Sequence, residues 1–101
     1  MAHQAIVLDP RDSVAVALAD LAPGQKCAVR IGQTVREVLL KEKVPLGHKF
    51  ALYPIARGTG VLKYGEVIGD STADIEQGAW VHLHNLASSR GRDQRPGDEA
   101  R

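Results

Sequence analysis

Cysteine is almost missing: Cys27 stands alone among 101 residues. One thiol closes no intrachain disulfide, so nothing here asks for an oxidising compartment. Its neighbours Ala28 and Val29 are apolar, which suits a small buried hydrophobe better than a nucleophile. Long apolar runs are missing too. None approaches the roughly 18 residues that a membrane helix needs. The stretch Ala5 to Leu8 meets Asp9 and Pro10 too soon to be a signal-peptide core. A cytoplasmic chain with no membrane partner is the expectation. Charge of one sign is also lacking. The net charge is +1, which removes the strongest argument for a nucleic-acid partner. Up to Leu86 nine Lys/Arg face nine Asp/Glu. The surplus therefore falls in 87–101, where Arg90, Arg92, Arg95 and Arg101 are interleaved with Asp93, Asp98 and Glu99. That pattern reads as a solvated terminus. Phosphate-binding Gly-rich loops, a GxSxG elbow and CxxC pairs are all absent.

What is present fits one ordinary domain. Hydrophobic residues make up 44% and charged residues 25%, as in soluble globular proteins. A chain of this length can bury roughly two-thirds of the surface it exposes when unfolded. Ten glycines and five prolines, spread among short elements, favour an all-β fold with many turns. A weak internal repeat supports this. Ala17-Leu18-Ala19-Asp20-Leu21-Ala22-Pro23-Gly24 aligns with Ala51-Leu52-Tyr53-Pro54-Ile55-Ala56-Arg57-Gly58, and Ala73 to Gly78 is a fainter copy. In each, an aliphatic residue precedes glycine by three places and an apolar stretch follows. Each reads as a hairpin-like corner in which glycine supplies a positive φ.

Alternation gives the strands. Val14 to Ala19 is apolar on both faces and should be central. Gly65 to Gly69 is a short strand. Ala79 to Asn85 alternates Trp80, His82 and His84 against Val81, Leu83 and Asn85. In the segment from Val35 to Lys41, Val35, Val38 and Leu39 fit a helical stripe while a strand fits poorly, and Pro45 limits any helix to about two turns, so both readings stay open. Residues 87–101 contain no large apolar side chain and cannot offset their ordering entropy. The expected division is a folded domain over 1–86 and a disordered tail over 87–101.

Two clusters can carry chemistry. Gly47-His48-Lys49 is entered through Pro45, which stiffens the approach. Such a loop can present an imidazole and an ammonium, and lysine is a mobile cation suited to a carboxylate. In His82-Leu83-His84-Asn85 a strand would place both imidazoles on one face, with Leu83 anchored in the core. Paired imidazoles suit a divalent transition metal, or one acts as base while the other orients substrate. Two ligands are only half a metal site. Asn85 can donate to an oxyanion. Lys63-Tyr64 can line a pocket, although a solvated lysine beside a packed ring is the plainer reading. Trp80, the sole tryptophan, is expected in the core or an interface.

These residues carry a resemblance. The run Val44-Pro45-Leu46-Gly47-His48-Lys49-Phe50-Ala51-Leu52 with Ile55-Ala56-Arg57-Gly58 is similar to the SAF-type domain of the altronate/galactarate dehydratase family. So are Lys63-Tyr64-Gly65-Glu66-Val67-Ile68-Gly69, Thr72-Ala73-Asp74-Ile75, and Gly78 through Asn85. Asp12 to Leu18 resembles the family's opening strand. The resemblance implies an all-β, β-clip (SAF-like) single domain and tips Val35–Lys41 toward strand. It implies a lyase that removes water from a hydroxy acid such as altronate or galactarate. This chain would then be a small subunit, inactive alone, beside a separate large catalytic subunit. The alternatives are the alpha subunit of a sulfolactate sulfo-lyase, or a binding module without catalysis. His48, His82 and His84 become the expected acid, base or metal-ligand residues, with His82 and His84 toward the metal. Lys49 and Asn85 become the substrate-binding residues. The implied cofactor is a divalent ion, Fe2+, shared with the large subunit.

Overall fold

The computed structural model describes residues 3–88. Among these there is no helix, and so none long and apolar enough to cross a membrane. The expected all-β fold is what the chain adopts. The strands are β1 (Ala5–Val7), β2 (Val14–Ala17), β3 (Lys26–Ile31), β4 (Thr34–Leu39), β5 (Lys49–Ala51), β6 (Gly60–Lys63), β7 (Glu66–Ser71), β8 (Trp80–Val81) and β9 (Leu86–Ser88). Six form one sheet in the order β4-β3-β1-β2-β5-β8, and three form a second in the order β6-β7-β9.

Strand β2 is central, between β1 and β5. Its two apolar faces serve two cores. Ala15 and Ala17 join Val29, Leu40, Phe50 and Leu52 in one, and Val14 joins Ala51, Ile55, Val61, Ile75 and Val81 in the other. The ambiguous segment is strand: β4 pairs with β3 from Thr34 to Leu39. It is the outermost strand of its sheet. Only Val38 within it is buried, so hydrophobic alternation never develops there. Cys27 is buried, and desolvation pushes its thiol up to about 11, which suits an inert packing residue.

The corners follow a stricter rule than three hairpins. There are four, each an aliphatic residue followed three places later by a left-handed glycine: Leu21–Gly24, Val44–Gly47, Ile55–Gly58 and Ile75–Gly78, with φ of 81°, 83°, 83° and 85° at the glycines. They pair in twos and do not each close their own hairpin. Leu21 and Val44 exchange both backbone hydrogen bonds, and Ile55 and Ile75 do the same. Each glycine N–H donates to the carbonyl four residues ahead of the partner corner's aliphatic residue. Gly24 thus reaches Leu40, Gly47 reaches Ala17, Gly58 reaches Ser71 and Gly78 reaches Ala51. Each pair carries one aspartate cap. Asp20 accepts from Leu46 N–H and Asp74 from Arg57 N–H, both at 2.9 Å.

A buried carboxylate ties the small sheet to the large one. The β6–β7 hairpin turns on Tyr64 (φ 57°) and Gly65 (φ 77°), the pair of positive angles that a two-residue turn of matching twist requires. Asp12, only 2% exposed, accepts hydrogen bonds from both of these amides at 2.9 and 2.8 Å. Ser13 continues the seam: its N–H donates to Leu62 and its hydroxyl accepts from Leu62 N–H. The folded part also ends later than expected. Ala87 and Ser88 belong to β9, paired with Asp70 and Gly69, because backbone pairing needs no large side chain. The remainder of the expected tail, 89–101, lies outside the described residues.

The corners differ in one testable respect. A Cβ on Gly47 meets open space, whereas one on Gly78 would run into the Leu39 carbonyl. Gly47→Ala should therefore cost only the left-handed strain, about 1–2 kcal/mol. Gly78→Ala should cost clearly more in urea unfolding, since backbone must move. Equal costs for the two would mean that corner strain alone governs stability.

Candidate functional site

The site is built where β5 pairs with β8. Phe50 lies opposite Trp80, and Lys49 opposite Val81. One step further along that register puts His48 opposite His82. Their ring centroids lie 4.8 Å apart. His48 closes the Val44–Gly47 corner, donating its N–H to the Pro45 carbonyl, so its backbone is fixed by the turn.

Trp80 organises the imidazoles. It packs on the first core and is half-buried. Its indole stacks on His82 at 5.0 Å and 8°, and meets His84 at 5.3 Å and His48 at 5.7 Å, both tilted. Its Nε1–H donates to His48 Nδ1 at 3.2 Å. A neutral imidazole that accepts at Nδ1 carries its proton on Nε2. His48 therefore presents a donor, not a lone pair, at its outer nitrogen. The Trp80 backbone is held in turn by Glu42, which accepts its N–H at 2.7 Å.

The last expected strand is shorter than its alternation suggested. β8 ends at Val81, and 82–85 turn. Asn85 makes that turn. Its Oδ1 accepts from His82 N–H at 2.9 Å, its Nδ2 donates to the Trp80 carbonyl at 2.8 Å, and its own N–H donates to the His82 carbonyl. His82 and His84 therefore do not share a strand face. The cause is that asparagine bonds readily to nearby backbone and so competes with the ladder. Leu83, expected in the core, is 82% exposed for the same reason. Asn85 is buried and holds the turn. His48 and His82 are partly accessible and His84 is exposed.

The electrostatics are one-sided. Lys49 is held below the ordinary lysine value by burial first and by Lys63 second. His82 is lowered by desolvation, then by His48, Lys49 and His84. A ring so surrounded stays neutral, as a base or ligand must. The residues together can therefore offer a proton acceptor at His82, a hydrogen-bond donor at His48 and a cation at Lys49. A metal does not fit as well. Among the described residues no three His, Cys, Asp or Glu converge to hold an ion. Sequence reasoning missed Trp80 as the hub, because nothing local to Trp80 announces that His48 comes from another segment.

Comparison with known proteins agrees with the fold. The family model described as the altronate/galactarate dehydratase SAF domain matches residues 3–89. The chain is 51% identical over 86 residues to an altronate dehydratase of Escherichia coli (strain K12), covering 85% of this chain and 17% of that protein. It is 32% identical over 84 residues to an altronate dehydratase of Bacillus subtilis (strain 168), covering 83% of this chain and 16% of the relative. It is 38% identical over 64 residues to a (2R)-sulfolactate sulfo-lyase subunit alpha of Paracoccus pantotrophus, covering 63% of this chain and 96% of that subunit. The chain thus spans about a sixth of the two dehydratases and nearly all of the sulfo-lyase subunit.

The depressed His82 value has a sign that can be checked. Folding favours its neutral ring. This part of the stability is complete above the ordinary value of 6.5 and is lost as the pH falls from there through the lower native value. The His82 ring resonance should titrate below 6.5 in NMR, and Lys49→Met should move the midpoint upward. A midpoint at or above 6.5 would contradict the cationic environment.

Proposed function

This chain belongs to the altronate/galactarate dehydratase SAF-domain family, and on that premise we propose that it is the small subunit of a hydroxy-acid lyase. It would dehydrate a sugar acid such as altronate or galactarate together with a separate large catalytic subunit. The observation that supports this is the 4.8 Å approach of His48 and His82 beside Lys49, from segments far apart in sequence.

Elimination of water from a hydroxy acid begins with loss of a weakly acidic proton α to the carboxylate. A base must take that proton while cations and donors stabilise the enediolate. The electron pair then expels the β-hydroxyl, which leaves as water once protonated. In this chain neutral His82 suits the base, and Lys49 suits the carboxylate. His48, its Nε2–H fixed by the Trp80 indole, suits a donor to a substrate oxygen. His84 is exposed and sets its ring against the same tryptophan. The acid that protonates the leaving group has no evident source among these residues and is assigned to the large subunit. The divalent ion expected of such a lyase does not find a complete donor set among the described residues.

A second reading is favoured by one finding. The sulfo-lyase alpha subunit is matched over 96% of its length, as expected of a stand-alone small subunit. In that reaction the β-substituent leaves as sulfite instead of water, and the same base and cation serve.

Reconstitution separates these readings. The chain mixed with a separately purified large lyase subunit should convert altronate or galactarate to a keto acid, or release sulfite from sulfolactate. The chain alone should do neither. Turnover of about 1 to 1,000 per second by the chain alone would show a complete site here. In the active pair, His82→Ala should lower turnover about 100- to 10,000-fold, the usual worth of a positioned base. Full activity in that variant would remove His82 from the mechanism.

A further inference from the structure

We propose that Lys63 is the second cation of an anion subsite that it forms with Lys49, and that this subsite takes one acid group, carboxylate or sulfonate, of a small organic anion. The inference deepens the proposed lyase reading and rests on it for the identity of the ligand, but not for the existence of the subsite.

Lys49 opens β5 and Lys63 closes β6, so the two lysines come from different sheets. They meet at a pocket of about 280 Å³ walled by Ile68, Leu83 and Leu86, with His82 at its rim. Ser88 completes the lining, and among the described residues no Asp or Glu takes part in it. Both lysines are half-buried, and the ion pairs formed among the described residues lie elsewhere, at Arg11–Asp9 and Lys41–Glu76. Lys63 Nζ lies 4.6 Å from the Tyr64 ring centroid, a contact that steadies a cation without neutralising it.

The placement is enforced. Tyr64, the next residue, is held at positive φ by the buried Asp12 carboxylate, and Leu62, the residue before, is tied to Ser13. Lys63 is thus fixed on both sides to the same loop that leads into β2, and β2 pairs Val16 with Lys49. The fold brings two like charges together in an apolar-walled pocket and depresses Lys49 in doing so. Like charges so placed work against folding. A bound oxyanion turns the repulsion into two charge-assisted contacts. Apolar walls exclude water and strengthen them.

The experiment is a titration of the full ¹⁵N-labelled chain with sodium malate, with sodium chloride at matched ionic strength as control. Methanesulfonate and acetate probe the two acid groups separately. Saturable shifts should centre on Lys49, Lys63 and Leu86, and chloride should not reproduce them. Lys63→Met should weaken malate binding at least about 10-fold and leave the urea midpoint unchanged or raised, because a repulsion is removed. Lys41→Met, whose partner is Glu76, should bind as the parent does. Undiminished binding by Lys63→Met, shifts equally produced by chloride, or no saturable binding would each overturn the proposal. A lower urea midpoint in Lys63→Met would also overturn it, by showing a structural role. Binding that survives while the reconstituted pair shows no lyase activity would sink the lyase reading and leave the subsite standing. Activity without a Lys63-dependent subsite would do the reverse.

Discussion

The face that carries the imidazoles is positioned by four corners, each turning on a left-handed glycine. A corner of this kind reverses the chain within four residues and exposes one aliphatic side chain to a core. Paired two by two, the corners lock each other: the aliphatic residues exchange both backbone hydrogen bonds, and each glycine N–H answers a carbonyl just ahead of its partner. One pair, Leu21 with Val44, sets the entry to β5 and hence His48. The other, Ile55 with Ile75, sets the entry to β8 and hence Trp80 and His82. The functional geometry is therefore the distance between the exits of two corners. Individual hydrogen bonds of this type contribute only about 0.5–1.5 kcal/mol net. Their number and reciprocity fix the geometry of the corners.

Much of the fold was legible. The three copies of the repeat, with glycine at the correct offset, came directly from the sequence, as did the doubly apolar β2. The fourth copy, Val44-Pro45-Leu46-Gly47, has the same spacing, yet its neighbours His48 and Lys49 read as chemistry and mask it as architecture. Two-by-two pairing was not legible at all. Nothing in Leu21 specifies Val44 over Ile55, since the choice rests on the sheet order. β4 was ambiguous for a physical reason. An edge strand that buries a single side chain, Val38, places little constraint on the others.

The site was legible in its residue types and not in its arrangement. His82 and His84 were paired by period two, as strand residues would be. The strand fails one residue before it could present them, because Asn85 offers the backbone a tighter set of partners. The proximity that does exist, His48 to His82, comes from cross-strand register between segments thirty residues and more apart. Trp80 converts that register into chemistry. With its body on the first core, its face on His82 and its N–H on His48, it makes the tautomer of one imidazole and the orientation of the other depend on core packing. A lone tryptophan reads as packing from sequence, and here packing and site are the same side chain.

The charge pattern around this tryptophan separates a site from a merely stable surface. A surface selected for stability intersperses opposite charges, as the Arg11–Asp9 and Lys41–Glu76 pairs do. The face carrying Lys49, Lys63 and His82 does the opposite: it brings two half-buried lysines together beside an imidazole, and among the described residues the pocket between them is lined mostly by apolar side chains with no carboxylate. Burial and mutual repulsion both disfavour the charged forms there, and both depress Lys49 and His82. The one carboxylate buried nearby in sequence, Asp12, is committed to two amides of the β6–β7 turn, and that commitment is what aims Lys63. Among the described residues, the fold uses its buried anion to position a cation and gives that cation no carboxylate partner. Two cations so placed repel each other and work against folding, and a negative group between them relieves that repulsion.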